Sequence, residues 1–135
     1  MNGSVILISA LILASLFGVY RARTDGHVKA KAEAHIWTTH NCHIDLGEKA
    51  TLLQFSSSFC QPCRVTKVLL ADIALKTPGV AHVEINAEEH LPLVRELGIS
   101  RTPTTLILDK NGTIRGKASG LPKRDEVAKS LAELI

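Results

Sequence analysis

The stretch TLLQFSSSFCQPC, residues 51–63, is the most informative part of this sequence. Thr51–Phe55 is apolar enough to form a buried β-strand, and the residues from Cys63 onward have the apolar periodicity of a helix. Cys60 and Cys63 lie two residues apart at the junction, so they can close a small disulfide and open it again. A helix N-terminus stabilises a thiolate through its dipole and unpaired N–H groups. The stretch therefore predicts a dithiol redox site between a strand and a helix.

The two cysteines are expected to have different roles. At a helix start the first cysteine is exposed, whereas the second lies shielded in the first turn. We therefore expect Cys60 to be the nucleophile that attacks a substrate disulfide and Cys63 to be the resolving thiol. Pro62 stiffens the turn between them.

The alternative for this pair is half of a zinc site. Such a site needs two further ligands, which Cys42 with His40 or His43 could supply. A proline directly before the second cysteine, at a helix start, favours the redox pair. Cys42 is the odd one of three cysteines and is expected to be a thiol without a catalytic role. We expect no metal to be bound.

Length and charge limit the other possibilities. The chain has 135 residues, which is enough for one domain. Of its formal net charge of +3, residues 1–35 contribute four basic against two acidic side chains, and the remainder contributes 12 against 11. The nearly neutral domain gives nucleic-acid binding no electrostatic support.

The N-terminus predicts a membrane helix. Val5–Tyr20 carries no charge, and with the residues before it the uncharged stretch reaches about 19 residues, just enough to cross a bilayer. A cleaved signal peptide and a buried soluble helix are the alternatives. Four Lys or Arg residues follow the stretch and none precedes it, so the positive-inside rule places the domain in the cytoplasm, with the extracytoplasmic side as the alternative. The predicted organisation is an anchor at 1–22, a solvated linker at 23–36 and a domain at 37–135.

The remaining periodicities predict the order β-α-β-α-β-β-α within the domain. The predicted elements are the strand Thr51–Phe55, a helix with Val65, Val68, Leu69 and Ile73 on its apolar positions, the strand His82–Asn86, a helix after Pro92, the strand Thr104–Leu108, a tight turn at 109–112, the strand Thr113–Ala118 and a helix with Val127, Leu131 and Leu134. This order indicates an α/β fold with a mixed sheet and helices on both faces.

From about residue 49 to the C-terminus, the chain resembles the thioredoxin family. The matching motifs are Phe55-x-x-x-Phe59-Cys60-x-Pro62-Cys63, the strand at 83–86, Gly98-Ile99-x-x-Thr102-Pro103-Thr104, and Lys110-Asn111-Gly112 followed by Gly120. The resemblance implies a thioredoxin-like fold and a Pro103 that is cis and faces the cysteine pair. It also implies that Thr102 contacts a substrate strand and that Gly120 leaves room for that strand.

The resemblance further implies disulfide-containing protein substrates and no organic cofactor. It indicates a monomer that receives electrons from a separate reductant, such as a flavoenzyme of the thioredoxin-reductase type.

The chain departs from the family pattern at several positions around the pair. Gln61 replaces the usual glycine between the cysteines, and serines at 56 and 57 replace a tryptophan-alanine pair. Gln54 stands where the family has a buried aspartate, and His82 replaces the lysine that faces it. An amide cannot accept and return a proton at neutral pH. We therefore expect weaker activation of Cys63, with Gln54, Phe59 and His82 supporting the site.

These observations favour a membrane-anchored thiol–disulfide oxidoreductase that serves redox homeostasis. The first alternative is an extracytoplasmic oxidoreductase for secreted or cytochrome proteins, which in this family usually carries a helical insertion. The second is a non-enzymatic adaptor or metal-binding module with the same fold.

Overall fold

The computed structural model describes residues 2–24, 26–30 and 44–135. Its elements, in chain order, are α1 (Gly3–Thr24), β1 (Val28–Ala30), β2 (Ala50–Ser56), α2 (Gln61–Lys76), β3 (Val80–Asn86), a 3₁₀ turn (Ala87–Glu89), α3 (Leu91–Glu96), β4 (Thr104–Asp109), β5 (Ile114–Ser119) and α4 (Arg124–Leu134). The predicted order of strands and helices in the domain is confirmed, with β1 as an addition.

The strands form one mixed sheet in the order β1-β5-β4-β2-β3. β2 runs parallel to β3 and antiparallel to β4, while β5 is antiparallel to both β4 and β1. The β4–β5 connection is the predicted tight turn, in which Gly112 takes a φ of +79° and donates its N–H to Asp109. The residue before it in the turn, Asn111, does not have a positive φ. Of the Asn111–Gly112 pair, only the second position therefore needs the backbone freedom of glycine.

Helices cover both faces of the sheet, as predicted. On one face, Leu70 and Ile73 of α2 and Val127 and Leu131 of α4 pack against β2 and β4. On the other face, Leu93 of α3 and Leu97, the residue that caps its C-terminus, join a cluster that includes Leu53, Phe55, Ile85, Leu106 and Leu108. β2 lies between these two clusters and is buried along its whole length.

The buried face of α2 differs from the expected one. Val65 and Val68 are exposed, at 48% and 71%, whereas Cys63, Thr66, Leu70 and Ile73 are buried. Thr66 can be buried because its hydroxyl donates to the Pro62 carbonyl at 2.9 Å, so the helix itself satisfies it. Apolar spacing alone therefore placed the helix face about one residue away from its real position.

The segment expected to be a solvated linker also differs. Val28–Ala30 forms strand β1, which pairs with β5 from Val28 opposite Ala118 to Ala30 opposite Gly116. Pairing was not visible in the sequence because the strand is only three residues long.

Helix α1 has 22 residues, a mean hydropathy of 2.2 and no buried residue. By length and composition it could be a membrane anchor or a signal sequence.

The shifted face of α2 gives a direct test. Leu70→Ala is expected to lower the free energy of unfolding by about 2–5 kcal/mol, because it opens a cavity in a fully buried cluster. Val68→Ala, on the same helix, is expected to change it by less than about 0.5 kcal/mol. Urea denaturation of the full chain in detergent micelles measures both. Similar losses for the two variants would contradict the observed helix orientation.

Candidate active site

The cysteine pair lies at the junction between the end of β2 and the start of α2. Cys60 is the N-cap residue of α2, and its Sγ accepts the backbone N–H of Cys63 at 3.2 Å. The two cysteines form a disulfide with their Cα atoms 5.2 Å apart. Cys60 is half-buried, whereas Cys63 is only 3% exposed. The first cysteine is thus open to a partner, and the second is shielded.

The turn before the pair exposes an aromatic side chain. Phe59 has a φ of +58°, a conformation that non-glycine residues rarely adopt, and its side chain is fully exposed. Glu88 stabilises this turn by hydrogen bonds to the residue before Phe59. Its carboxylate accepts both the backbone N–H and the hydroxyl of Ser58, at 3.3 and 3.1 Å. Gln61 and Pro62 are exposed on the first turn of α2.

The loop that precedes β4 faces the pair. The Thr102–Pro103 peptide bond is cis, in agreement with the resemblance. The hydroxyl of Thr102 lies 4.0 Å from Cys60 Sγ and 2.7 Å from the hydroxyl of Ser57. The structure therefore brings this loop, the pair and the end of β2 together.

Gly120 lies at the same edge and donates its N–H to the Pro103 carbonyl at 2.8 Å. Its φ is +86°, and a side chain at this position would meet the guanidinium of Arg101 at 2.7 Å. Arg101 also donates to the Ser119 carbonyl at 3.1 Å. The space beside Gly120 that we expected to be open for a substrate therefore contains a cationic side chain. The position of Arg101 could not be predicted from the sequence, because its contact joins residues 19 positions apart in the chain.

Gln54 is completely buried beneath the pair, and its amide is fully engaged. Its Nε2 donates to the Cys63 carbonyl at 2.8 Å and to the Ser56 hydroxyl at 2.9 Å. Its Oε1 lies 3.0 Å from His82 Nε2, which must be the donor because a carbonyl oxygen can only accept. The predicted proximity of Gln54 and His82 is therefore present.

His82 is held in its neutral form. Burial lowers its pKa below the usual value of 6.5, against the opposing effect of the nearby Glu84 carboxylate. Glu84 accepts from the Ser56 hydroxyl at 3.3 Å and pairs with Lys67 at 3.2 Å. Neither the buried Gln54 nor the half-buried His82 thus carries a charge at neutral pH, which avoids an unpaired charge below the cysteines.

The described part of the chain contains no group of three or more His, Cys, Asp or Glu side chains that could hold a metal ion. Cys42, His40 and His43, the further ligands of the zinc alternative, lie outside the described residues. Glu88 and Arg101 also contact the site but belong to none of the sequence motifs, and Ser57 stands out in the sequence only as a departure from the family pattern.

Comparisons with known proteins agree with this arrangement. The family model Thioredoxin matches residues 32–133. Thioredoxin H1 of Arabidopsis thaliana is 28% identical over 112 residues, which cover 83% of this chain and 96% of that protein. Thioredoxin H5 of Oryza sativa is 33% identical over 89 residues, covering 66% of each chain. The structure of spinach chloroplast thioredoxin f (short form) superposes with a TM-score of 0.57 at 26% identity, covering 65% of this chain and 78% of that one.

The fold and the cysteine pair define a thioredoxin-like disulfide oxidoreductase. The family match extends over most of the sequence, and the chain belongs to the thioredoxin family.

The lowered pKa of His82 predicts a pH effect on stability. Below about pH 6.5 the unfolded chain protonates this histidine more readily than the folded one, so the free energy of unfolding falls as the pH drops through that value. The His82→Gln variant keeps an N–H donor for Gln54 but has no titrating group at this position. We therefore expect its free energy of unfolding to fall less than that of the wild type between pH 7 and about 5. The carboxyl pKa values of Asp72, Asp109 and Glu126 are also lowered, but these groups change the free energy of unfolding only at more acidic pH.

Urea denaturation of the full chain in detergent micelles at several pH values measures the effect. If the free energy of unfolding changed with pH by the same amount in the wild type and in the His82→Gln variant, the predicted contribution of His82 would be contradicted.

Proposed function

We propose that this protein is a membrane-anchored oxidoreductase that exchanges its Cys60–Cys63 pair with disulfides of protein partners and so contributes to redox homeostasis. The observation that carries the proposal is the position of Cys60 Sγ, which is half-buried and accepts the backbone N–H of Cys63 in the first turn of α2. The same N–H stabilises the sulfur when it is a thiolate.

In the reducing direction, the Cys60 thiolate attacks one sulfur of the substrate disulfide and forms a mixed disulfide. The substrate S–S bond breaks, and its other sulfur leaves as a thiolate that takes a proton from water. Cys63 then loses its proton and attacks Cys60, which releases the first substrate sulfur as a second thiol. Two electrons pass to the substrate, and the Cys60–Cys63 disulfide forms. A separate reductant, of the flavoenzyme class that serves thioredoxins, returns the two electrons.

The substrate-binding part of the proposal concerns the loop before β4. Thr102 offers its backbone to an extended substrate strand beside Cys60, and Pro103 and Gly120 shape the floor of that contact. The short distance between Thr102 Oγ1 and Cys60 Sγ supports this role. Phe59 supports the site as an exposed apolar contact for partners, while Gln61 and Pro62 shape the turn that presents the pair.

In this proposal, the step in which Cys63 resolves the mixed disulfide differs from the family pattern, because Gln54 stands in place of an aspartate. In this proposal Gln54 cannot relay the proton of Cys63, because all of its N–H groups and its carbonyl oxygen are already hydrogen-bonded and an amide does not titrate. The proton of Cys63 therefore leaves through water or with the help of His82, and mixed disulfides resolve slowly.

The anchoring part of the proposal assigns residues 1–22 to the membrane helix and residues 37–135 to the domain, on the cytoplasmic side. The apolar helix α1 and the basic residues that follow it support this side. Modification of Cys60 by a membrane-impermeant alkylating reagent in intact cells distinguishes the cytoplasmic from the extracytoplasmic side, because only the latter is accessible from outside.

The first test separates the two cysteines. Cys63→Ser is expected to accumulate mixed disulfides with partner proteins, because the nucleophile remains but nothing resolves the intermediate. Cys60→Ser is expected to form none and to lose disulfide reduction. Non-reducing electrophoresis of cells that express each variant measures the adducts. If Cys60→Ser retained its partners and Cys63→Ser trapped nothing, a non-enzymatic adaptor would be the better description.

The second test concerns Gln54. Gln54→Asp is expected to accelerate resolution of the mixed disulfide by about tenfold or more, because a carboxylate at this position can accept the proton of Cys63. Gln54→Asn is the matched control, since it shortens the side chain equally without adding a titratable group. Release of the second substrate thiol in a single turnover measures the rate, and urea denaturation checks that both variants fold. Resolution no faster in Gln54→Asp than in Gln54→Asn would contradict the proposed role.

A further inference from the structure

The direction of strand β1 determines where the N-terminal helix meets the domain. β1 is antiparallel to β5 and begins with Val28 opposite Ala118. The residues just before β1 therefore lie next to the C-terminal end of β5. That end belongs to the sheet edge where Thr104 pairs with both Ser119 and Phe55, directly before the cysteine turn. Helix α1 consequently joins the domain at the edge that carries the disulfide.

Several contacts fasten this junction. Gly26 donates its N–H to the Ser119 carbonyl at 2.9 Å, so the chain is already attached two residues after α1 ends. Glu126 of α4 accepts the Val28 N–H at 2.7 Å and contacts His27 Nδ1 at 2.5 Å. His27 Nε2 contacts the carbonyl of Arg23 in the last turn of α1. The end of the helix is thus tied to β5 and α4 by hydrogen bonds rather than by a free linker.

The junction also brings the loop before β4, which contains Thr102 and Pro103, close to the end of α1. Ser119 O accepts from both Gly26 and Arg101, and the next residue, Gly120, is bonded to Pro103. From β1 to β2 there are three inter-strand spacings, about 15 Å in total. α1 continues four residues past Tyr20, about 6 Å. Tyr20 ends the uncharged run of α1, where an aromatic side chain suits the bilayer interface. With Tyr20 at that level, these two lengths put the end of β2, directly before the cysteine turn, about 20 Å from the bilayer surface.

The side chains beside the junction suit a bilayer interface. Leu121, whose carbonyl approaches Gly26, is 47% exposed, and Lys123 is exposed with its Nζ 3.3 Å from His27 Nε2. Arg21 and Arg23 lie in the last turn of α1. One apolar and several basic side chains around the end of an apolar helix fit the headgroup region of a membrane with anionic lipids.

We propose that this oxidoreductase acts on disulfides of membrane proteins that lie within about 20 Å of the bilayer surface. The proposal rests on the proposed anchoring and on the proposed exchange reaction. A fixed attachment at the active-site edge raises the effective concentration of the pair near the membrane and lowers it further away. The electron balance is that of the exchange above: the reduced pair supplies two electrons and becomes the disulfide, and the substrate disulfide becomes two thiols.

The test uses the full chain, reduced beforehand, in liposomes of phosphatidylcholine and phosphatidylglycerol. Each preparation also contains a single-span peptide that carries the same disulfide loop on a helical Glu-Ala-Ala-Ala-Lys spacer of either about 15 Å (near) or about 45 Å (far). A soluble peptide with this loop is the third substrate. Thiol release in a single turnover is expected to be about tenfold faster for the near loop than for the far loop.

The decisive variant carries a flexible Gly-Ser insertion of about 16 residues directly after Thr24, which frees the domain from its fixed height. We expect its near-to-far rate ratio to fall towards one while reduction of the soluble peptide stays unchanged. The matched control carries the same segment after the C-terminal Ile135 and is expected to keep the wild-type ratio.

Equal near and far rates in the wild type, or an unchanged ratio in the Thr24 insertion variant, would overturn the membrane-proximal placement while the exchange reaction stood. Failure to reduce the soluble peptide would overturn the exchange reaction itself, and with it this inference. Failure of the chain to float with liposomes in a density gradient would overturn the anchoring.

Discussion

Complete burial of strand β2 is the constraint on which the rest of the molecule depends. All seven of its residues are buried between two hydrophobic clusters, and it hydrogen-bonds to β3 on one side and β4 on the other. Such a strand has one position and one register, because a shift by one residue would exchange its two faces. The turn that follows it therefore delivers Cys60 to a fixed point, and α2 begins there because a sulfur and a proline occupy its first positions.

Burial of β2 also explains the polar network under the cysteines. A side-chain amide at Gln54 can be buried only if its hydrogen-bonding groups find partners, and Cys63, Ser56 and His82 provide them. His82 fits this role because burial keeps it neutral. The exchange of a charged pair for an amide and a neutral imidazole therefore preserves the packing of the family fold. It also leaves no titratable carboxylate at this position beside Cys63, because the Gln54 amide is fully hydrogen-bonded and does not titrate.

The N-terminal segment shows how a few backbone contacts give a site its location. Three residues of β1 and the groups around Glu126 attach α1 to the edge of the sheet that holds the disulfide. In the opposite strand direction the same helix would meet the sheet near the β4–β5 turn, far from the pair. The direction of one short strand thus places the end of α1 at the edge of the sheet that holds the disulfide.

The sequence by itself determined the strand–turn–helix junction, the cysteine pair, the helices on both faces and the apolar N-terminal helix. It could do so because these features depend on residues adjacent in the chain and on apolar periodicity. The cis bond before Pro103 and the importance of Gln54 and His82 followed from the resemblance. Only the tertiary structure decided which face of α2 is buried, that Arg101 occupies the space beside Gly120, and that Val28–Ala30 completes the sheet. These depend on contacts between residues distant in the chain, where burial and hydrogen-bond satisfaction override local spacing.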